Sequence, residues 1–179
     1  VYLGAIGPKA VEQVGEIADG WLPFMLDPRN PDLLLDHLRR GAEKAGRQIS
    51  DIDVAPCVPV AVHEDLDEAR HLARPWLAFY LGAMGAKDKN FYVEIADMCG
   101  HGDSARACQE AALAGDNVAA AMALTDGLID TACVCARPGE LTERLAIYKG
   151  AGADTLVAIP CGDRPALIRQ LAKAQAELS

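Results

Sequence analysis

The residues with the clearest chemical potential form a glycine-rich turn near the start of the chain. A short apolar run leads into Gly4-Ala5-Ile6-Gly7-Pro8-Lys9, and a helical pattern opens at Pro8. Proline suits the first turn of a helix because its missing N–H would have no helical partner there. Glycine lets the backbone approach a ligand closely, and free amides at a helix start attract phosphate. The pattern predicts a phosphate or pyrophosphate site, although a plain strand-to-helix turn has the same pattern.

Other side chains give weaker indications of chemistry. His37 and His71 fall within predicted helices, whereas His63 follows a predicted strand and could reach a site at the strand end. His101 lies in a Gly-His-Gly loop, where it could serve as a lid residue. Cys99 and His101 are too few to form a zinc site, because zinc takes four ligands at set spacings. We therefore predict no metal site. No Ser-His-Asp, Cys-His-Asp or paired-carboxylate set is visible either, so we name no catalytic residue.

Hydrophobic periodicity predicts the elements that must position these residues. Strands are predicted at 1–5, 21–26, 52–62 and 154–160, with a short extended segment at 131–136. Helices are predicted at 8–19, 32–45, 66–84, 91–98, 104–114, 117–123, 139–150 and 164–178, with a helical turn at 126–129. Asp65 is expected to cap the helix that follows it, and Pro75 to kink or split that helix. Pro56 and Pro59 should make the third strand irregular.

Strands that alternate with helices imply a parallel α/β sheet with helical crossovers. Four such units match the C-terminal half of a TIM (β/α)8 barrel, here as one domain over residues 1–179 with a helical insertion at about 85–130, before the last strand. An open three-layer sandwich is the alternative. We expect one face of the sheet to line the barrel, with six apolar side chains on it: Leu3, Ile6, Val54, Val58, Val157 and Ile159.

Two stretches of the sequence resemble a known enzyme superfamily. The first is Gly4-Ala5-Ile6-Gly7-Pro8-Lys9, followed by Gly15-Glu16-Ile17-Ala18-Asp19-Gly20-Trp21-Leu22. The second comprises Ala114-Gly115-Asp116, Asp130, Arg137-Pro138-Gly139-Glu140-Leu141-Thr142-Glu143-Arg144-Leu145, Tyr148 and Gly150-Ala151-Gly152-Ala153-Asp154-Thr155-Leu156-Val157. Together they are similar to the C-terminal half of the luciferase-like monooxygenase superfamily, and closest to members of the methylenetetrahydromethanopterin reductase type that use the deazaflavin coenzyme F420. The N-terminal half of that family has no counterpart in this sequence.

The resemblance implies positions for the cofactor. In the family the first turn approaches the deazaflavin and its phosphate-bearing tail, which implies cofactor contacts at Gly4, Ala5, Ile6, Gly7 and the amides of Lys9 and Ala10. Residues that handle protons in the family lie mainly in the units missing here, so the catalytic residues stay unknown.

The resemblance also bears on the substrate. Sugar-phosphate dehydrogenases of the family carry Thr and Lys for the substrate phosphate at positions matching Phe24 and Asp27, and neither residue here can neutralise a phosphate. An apolar, flat or extended substrate suits Phe24 and Met25 better, with His63 as a further candidate contact. The alternative is that Phe24 and Met25 only pack the fold.

The expected function is therefore an oxidoreductase, or the C-terminal part of one, that transfers a hydride between coenzyme F420 and a small organic molecule. An FMN-dependent monooxygenase of the same superfamily is one alternative. A non-catalytic half-barrel, acting as a fragment or an interaction module, is another. We expect the isolated chain to be inactive, and to pair with an N-terminal half-barrel or with another copy of itself.

Composition narrows the class of partner and compartment. The formal net charge of −9 argues against nucleic acid or an anionic membrane as the main partner. No apolar run approaches the about 20 residues of a membrane span. Six irregularly spaced cysteines in apolar context favour free buried thiols, as in a cytoplasmic protein. Val1 opens directly into a strand, so we expect no leader peptide, and the lack of an initiator Met favours a processed or fragmentary chain.

Overall fold

Two three-stranded parallel sheets lie at the centre of the computed structural model, which describes residues 1–86 and 88–178. In the first sheet β1 (Tyr2–Leu3), β2 (Gly20–Trp21) and β3 (Asp53–Val54) lie in that order. In the second, β4 (Cys57–Val62) lies between β5 (Val134–Ala136) and β6 (Val157–Pro160). A parallel bridge between Phe24 and Cys57 joins the two sheets. The predicted parallel α/β arrangement is confirmed.

Helices connect and cover these strands. Their bounds are α1 Pro8–Ile17, α2 Asp32–Lys44, α3 Leu66–Ala83, α4 Phe91–Met98, α5 Gly102–Leu113, α6 Asn117–Met122, α7 Asp126–Ala132, α8 Leu141–Gly150 and α9 Arg164–Leu178, with a 3-10 turn at Ile49–Asp51. The extended segment predicted at 131–136 is shorter than expected, because α7 includes Thr131 and Ala132. What remains of it is the strand β5, which pairs with the carboxyl end of β4.

The third predicted strand is broken where its prolines fall. β3 ends at Val54 and β4 begins at Cys57, so Pro56 marks the break. Pro59 lies inside β4, where the neighbouring strand changes: the Cys57 N–H donates to Pro23 O, and the His63 N–H donates to Ala136 O. Proline has no backbone N–H to donate. At Pro59 that N–H would point to the place where the neighbour of β4 changes from the Pro23 segment to β5, so β4 tolerates the proline.

The expected set of barrel-facing side chains is wrong in part. Cys57 pairs with Val157 and Val58 with Ala158, so Val58 lies on the face opposite Val157 because side chains alternate along a strand. Val54 and Val58 are each 2% exposed, whereas Val157 is 38% exposed. Val58 therefore packs beneath helices α8 and α9, and Val157 lies on the more open face.

Close packing between α1 and α2 fixes the position of the glycine-rich turn. A Cβ on Gly41 would lie 1.9 Å from Glu12 O, and one on Gly15 would lie 2.3 Å from Leu38 O, so only glycine allows this approach. The turn itself is tied to β2, because the Trp21 indole N–H donates to Ala5 O at 3.0 Å. The start of α1 is therefore held rigidly against the sheet.

Helix α3 packs with the helical segment that follows it. It contacts α5, α6 and α7 as well as β4 and β5. Arg70 on α3 makes a bidentate pair with Asp130 on α7, through Nε at 3.0 Å and Nη2 at 2.8 Å. The expected split at Pro75 does not occur, because Pro75 lies on the exposed face of a continuous helix, where water can bind the carbonyl that it leaves free.

The predicted cap of α3 is present and gives a stability test. Asp65 Oδ1 accepts a hydrogen bond from the Asp67 N–H at 2.9 Å. Asp65→Ala should lower the free energy of unfolding by about 1 kcal/mol, the usual value of an N-cap. Glu64→Ala, at the exposed neighbouring position, is the control and should change it by less than about 0.5 kcal/mol. Equal losses in urea unfolding of the two variants would contradict the role of the cap.

Candidate functional site

A cavity of about 940 Å³ opens between the glycine-rich turn, the ends of the strands and helices α3 and α4. Residues 4–10 form one side of it, and Leu22, Pro23 and Phe24 lie at the end of β2. Cys57 and Ile159 form the floor on the face of the sheet shared by Val157. Its size is typical of a pocket for a cofactor or a drug-sized ligand.

The glycine-rich turn leaves backbone donors at the start of α1. Gly7 is the N-cap, with φ −74° and ψ 151°, and no side chain caps the helix there. The amides of Lys9 and Ala10 have no carbonyl of the helix to bond to, because they lie in its first turn. No acidic residue lies in that turn, and Lys9 adds a positive charge. This end of the cavity is suited to an anionic group such as phosphate.

An aromatic wall, defined as Phe24, Trp76, Tyr80 and Tyr92, forms another side of the cavity. Phe24 stacks on Tyr80 with ring centroids 5.1 Å apart and meets Tyr92 edge-on at 4.7 Å. The ring centroids of Trp76 and Tyr80, one helical turn apart on α3, are 4.3 Å apart. Such a connected set of rings presents a rigid apolar surface with few rotamers to freeze on binding.

The cavity carries little charge beyond its phosphate-suited end. Among its described lining residues, Lys9 alone bears a formal charge. Burial raises the pKa of the Tyr92 hydroxyl, so this group stays protonated at neutral pH and can donate a hydrogen bond. Burial also raises the pKa of the Cys57 thiol, which disfavours the thiolate that a nucleophile would need. The arrangement can therefore bind an apolar molecule and orient it, rather than attack it covalently.

The structure brings seven of the nine predicted site residues to this cavity. Those that line it are Gly4, Ala5, Ile6, Gly7, Lys9, Ala10 and Phe24. Met25 is not among the lining residues, because it is 3% exposed and packs in the core with a φ of +54°. His63 is exposed, and its Nδ1 accepts from the Asp65 N–H at 3.1 Å beside the start of α3. The roles assigned to all nine stay predictions.

Four aromatic lining residues were not predicted from the sequence as site residues: Trp76, Tyr80, Phe91 and Tyr92. The available signal was the spacing of Trp76 and Tyr80, which places both on one face of a helix. That spacing predicts a buried face equally well. Only the tertiary structure shows that this face meets the end of β2.

The described part of the chain gives the other candidate residues no metal-binding or catalytic arrangement. No group of three or more His, Cys, Asp or Glu side chains in residues 1–86 and 88–178 is placed to hold a metal. All six cysteines are free, and His101 Nε2 lies 3.0 Å from Thr131 Oγ1 rather than at the cavity. Within those same ranges, the helices are too short or too polar to cross a bilayer.

Comparison with known proteins identifies relatives of this fold and sequence. The sequence profile of the luciferase-like monooxygenase family matches residues 1–155. A Mycobacterium tuberculosis protein named as a coenzyme F420-dependent oxidoreductase is 29% identical over 159 residues, which cover 88% of this chain and 46% of the relative. The 5,10-methylenetetrahydromethanopterin reductase of Methanolobus tindarius is 28% identical over 160 residues, covering 88% and 47%. The chain thus spans about half the length of these relatives.

Solved structures show the same fold. The coenzyme F420-dependent tetrahydromethanopterin reductase of Methanopyrus kandleri superposes with a TM-score of 0.71 at 24% identity, over 89% of this chain and 44% of that protein. An F420-dependent secondary alcohol dehydrogenase, solved with an F420–acetone adduct, superposes with a TM-score of 0.64 at 19% identity, covering 89% and 42%. At these identities the likeness establishes the fold.

Proposed function

Because this chain belongs to the luciferase-like monooxygenase family, we propose that it is part of an oxidoreductase that passes a hydride between coenzyme F420 and an organic substrate. The observation that carries the proposal is the main cavity, defined as the 940 Å³ space described above. All six residues to which the resemblance assigns the cofactor lie along one side of it. An apolar aromatic wall faces them across the same space.

The proposal places this chain as the C-terminal half of a (β/α)8 barrel. Its strands are parallel, helices cover one face, and Val157 and Ile159 leave the other face partly open. A chain that spans about half of its relatives requires a second half to close the barrel. We propose that the other half, or a second copy of this chain, packs on the open face.

The residues present fit the cofactor. The free amides of Lys9 and Ala10 and the Lys9 side chain would hold its phosphate-bearing tail. Gly7 leaves room for the approach, since a Cβ there would meet only the Phe91 ring at 3.9 Å. When bound, the deazaflavin supplies the hydride chemistry. The chain's own residues bind and orient: the aromatic wall positions the substrate and keeps water from it.

We propose a neutral, apolar substrate with a flat or extended shape. An F420-dependent glucose-6-phosphate dehydrogenase of Nakamurella multipartita is 36% identical over 83 residues, so a sugar phosphate is the substrate against which an apolar one should be compared. Here Phe24 is stacked into the aromatic wall and cannot neutralise a phosphate. Unpaired polar groups of a sugar would be buried against these rings at a cost of about 1–3 kcal/mol each.

The cofactor can be identified by absorption. The test uses the complemented protein, defined as this chain co-produced with the N-terminal half of a relative. If the bound group is the deazaflavin, added reductant should bleach its absorption band at roughly 420 nm, whereas FMN absorbs at roughly 450 nm. A band of bound FMN would favour the monooxygenase alternative. Failure to retain either cofactor would overturn the proposal.

Cys57 provides a test of where the ligand binds. Its thiol lines the main cavity and is half-buried, so iodoacetamide should modify it slowly. With ligand at about ten times its Kd, the modification rate should fall about tenfold, because only the free fraction reacts. Cys161 is the matched control: it is also half-buried with a pKa raised by burial, but it is not among the lining residues. Equal rates at Cys57 with and without ligand, measured by peptide mass spectrometry, would place the ligand elsewhere.

A further inference from the structure

The aromatic wall carries three polar groups that no other side chain or backbone atom of the described residues binds. They are the indole N–H of Trp76 and the hydroxyls of Tyr80 and Tyr92. None of the three belongs to the sealed, unpaired polar atoms of the described chain, so each group reaches open space. All three side chains line the main cavity. A ligand in the main cavity can therefore bind them.

The polar side chains of the main cavity share one chemical property. Among its described lining residues they are Lys9, Cys57, Trp76, Tyr80 and Tyr92. Each carries a hydrogen that it can donate, and none is a carboxylate, an amide or an imidazole. A tyrosine hydroxyl can also accept a hydrogen bond, but a ligand with an ammonium group would find no carboxylate here. These side chains therefore favour a ligand that accepts hydrogen bonds.

Tyr92 is held in place at the start of α4. The Asn90 side chain caps this helix, because its Oδ1 accepts from the Tyr92 N–H at 3.0 Å. Its Nδ2 donates to Leu81 O at 2.7 Å, which ties the cap to α3. The Tyr92 ring lies edge-on to Phe24 and to Tyr80, with centroid distances of 4.7 and 5.5 Å. The Tyr92 side chain is thus fixed before a ligand binds, which lowers the entropy lost on binding.

The hydroxyls of Tyr80 and Tyr92 can act together on one oxygen. Burial raises the pKa of the Tyr92 hydroxyl, and a charge on Tyr80 would raise it further, so the Tyr92 hydroxyl stays protonated. A carbonyl oxygen has two lone pairs and can accept from both hydroxyls, whereas a ring nitrogen accepts only one hydrogen bond. Lys9 lies at the phosphate-suited end, so a carboxylate at the aromatic wall would be buried without an opposite charge.

We propose that the Tyr80 and Tyr92 hydroxyls bind the carbonyl oxygen of a neutral, apolar substrate of the aryl ketone class. The inference rests on the proposed function, since a carbonyl carbon can accept a hydride. The apolar body of the substrate packs on the aromatic wall, and its oxygen accepts from the two hydroxyls. A molecule of the same shape without that oxygen would displace water from both hydroxyls and leave them unpaired, so the site should reject it.

Acetophenone and α-methylstyrene provide the test, because they have nearly the same shape but carry C=O and C=CH2. The purified chain is titrated without cofactor, and the Kd is measured as protection of Cys57 from iodoacetamide, with Cys161 as the unprotected control. The wild-type chain should bind acetophenone at least tenfold more tightly, about 1.4 kcal/mol. Coenzyme F420 is absent from this titration, so a failure here is separate from a failure of the absorption test.

Tyr92→Phe keeps the ring contacts and removes only the hydroxyl. It should raise the Kd for acetophenone about fivefold, yet leave the Kd for α-methylstyrene within about twofold. Tyr80→Phe should act in the same way, and the double variant should bind the two probes equally. Tyr148→Phe is the matched control, since Tyr148 is buried outside the main cavity and its change should alter neither Kd by more than about twofold.

Four results would overturn the assignment of the two hydroxyls. They are no binding of acetophenone, equal binding of both probes by the wild-type chain, equal losses for both probes in Tyr92→Phe, and the same loss in Tyr148→Phe as in Tyr92→Phe. Protonated 1-phenylethylamine is a fifth check, because its ammonium group can only donate. If it binds more tightly than acetophenone, the cavity does not select a hydrogen-bond acceptor.

Discussion

Gly7→Asp is expected to weaken binding of coenzyme F420 to the complemented protein at least tenfold, about 1.4 kcal/mol. Gly7 is the N-cap of α1, so an aspartate there would accept hydrogen bonds from the amides of Lys9 and Ala10. Those amides are the donors that the proposed cofactor tail requires. The new carboxylate would occupy them and repel the phosphate, and fluorescence titration of F420 measures the loss.

The same substitution should not harm the fold, which makes the result easy to interpret. The φ of −74° and ψ of 151° at Gly7 suit any residue, and an aspartate N-cap should raise the free energy of unfolding by only about 0.3 kcal/mol relative to glycine. Gly7→Ala is the matched control, since its methyl meets only the Phe91 ring at 3.9 Å and should leave affinity within about twofold. Unchanged F420 affinity in Gly7→Asp would show that the cofactor does not lie at this turn.

The isolated chain is expected to have no hydride-transfer activity and to associate. β1 and β6 each pair with one neighbouring strand among the described residues, and exposed edges are templates for pairing. Val157 is 38% exposed on the more open face, where burial is favourable by about 25 cal/mol per Å². Sedimentation at micromolar concentration should show dimers or larger species, and turnover should appear only in the complemented protein.

A charge on the open face should prevent this association without unfolding the chain. Val157→Lys places the charge where Val157 is already partly in water, and should shift the chain to monomer. Ile17→Lys changes an apolar residue that is 70% exposed on α1, and should leave association unchanged. A stable wild-type monomer, or turnover by the isolated wild-type chain, would mean that the open face or the position of the site has been misassigned.

The parts of the fold that follow from periodicity could be predicted from the sequence. Alternation of apolar strands with amphipathic helices gave the parallel sheet, and Asp65 before a helical pattern gave the cap of α3. The glycine-rich turn was predicted as a ligand site because glycine, proline and a helix start act through the backbone. Such features depend on a few consecutive residues, so the sequence contains all the information they need.

Features that depend on register could not be predicted. Residues 54–62 are almost all apolar, so their pattern does not say which side chains share a face, and Val58 was assigned to the wrong one. The aromatic wall joins Phe24 after β2 to Tyr80 on α3, two residues whose contact depends on tertiary packing. The positive φ of Met25, which removes it from the cavity, has no signal in the sequence because glycine and asparagine are the usual residues there.

The most direct test of the proposed cofactor site is a crystal structure of the complemented protein with coenzyme F420. The account predicts phosphate oxygens of the cofactor within about 2.7–3.2 Å of the amide nitrogens of Lys9 or Ala10. It also predicts the deazaflavin ring in the main cavity between the glycine-rich turn and the aromatic wall. A cofactor bound away from Gly7, with the start of α1 occupied only by water, would contradict the account.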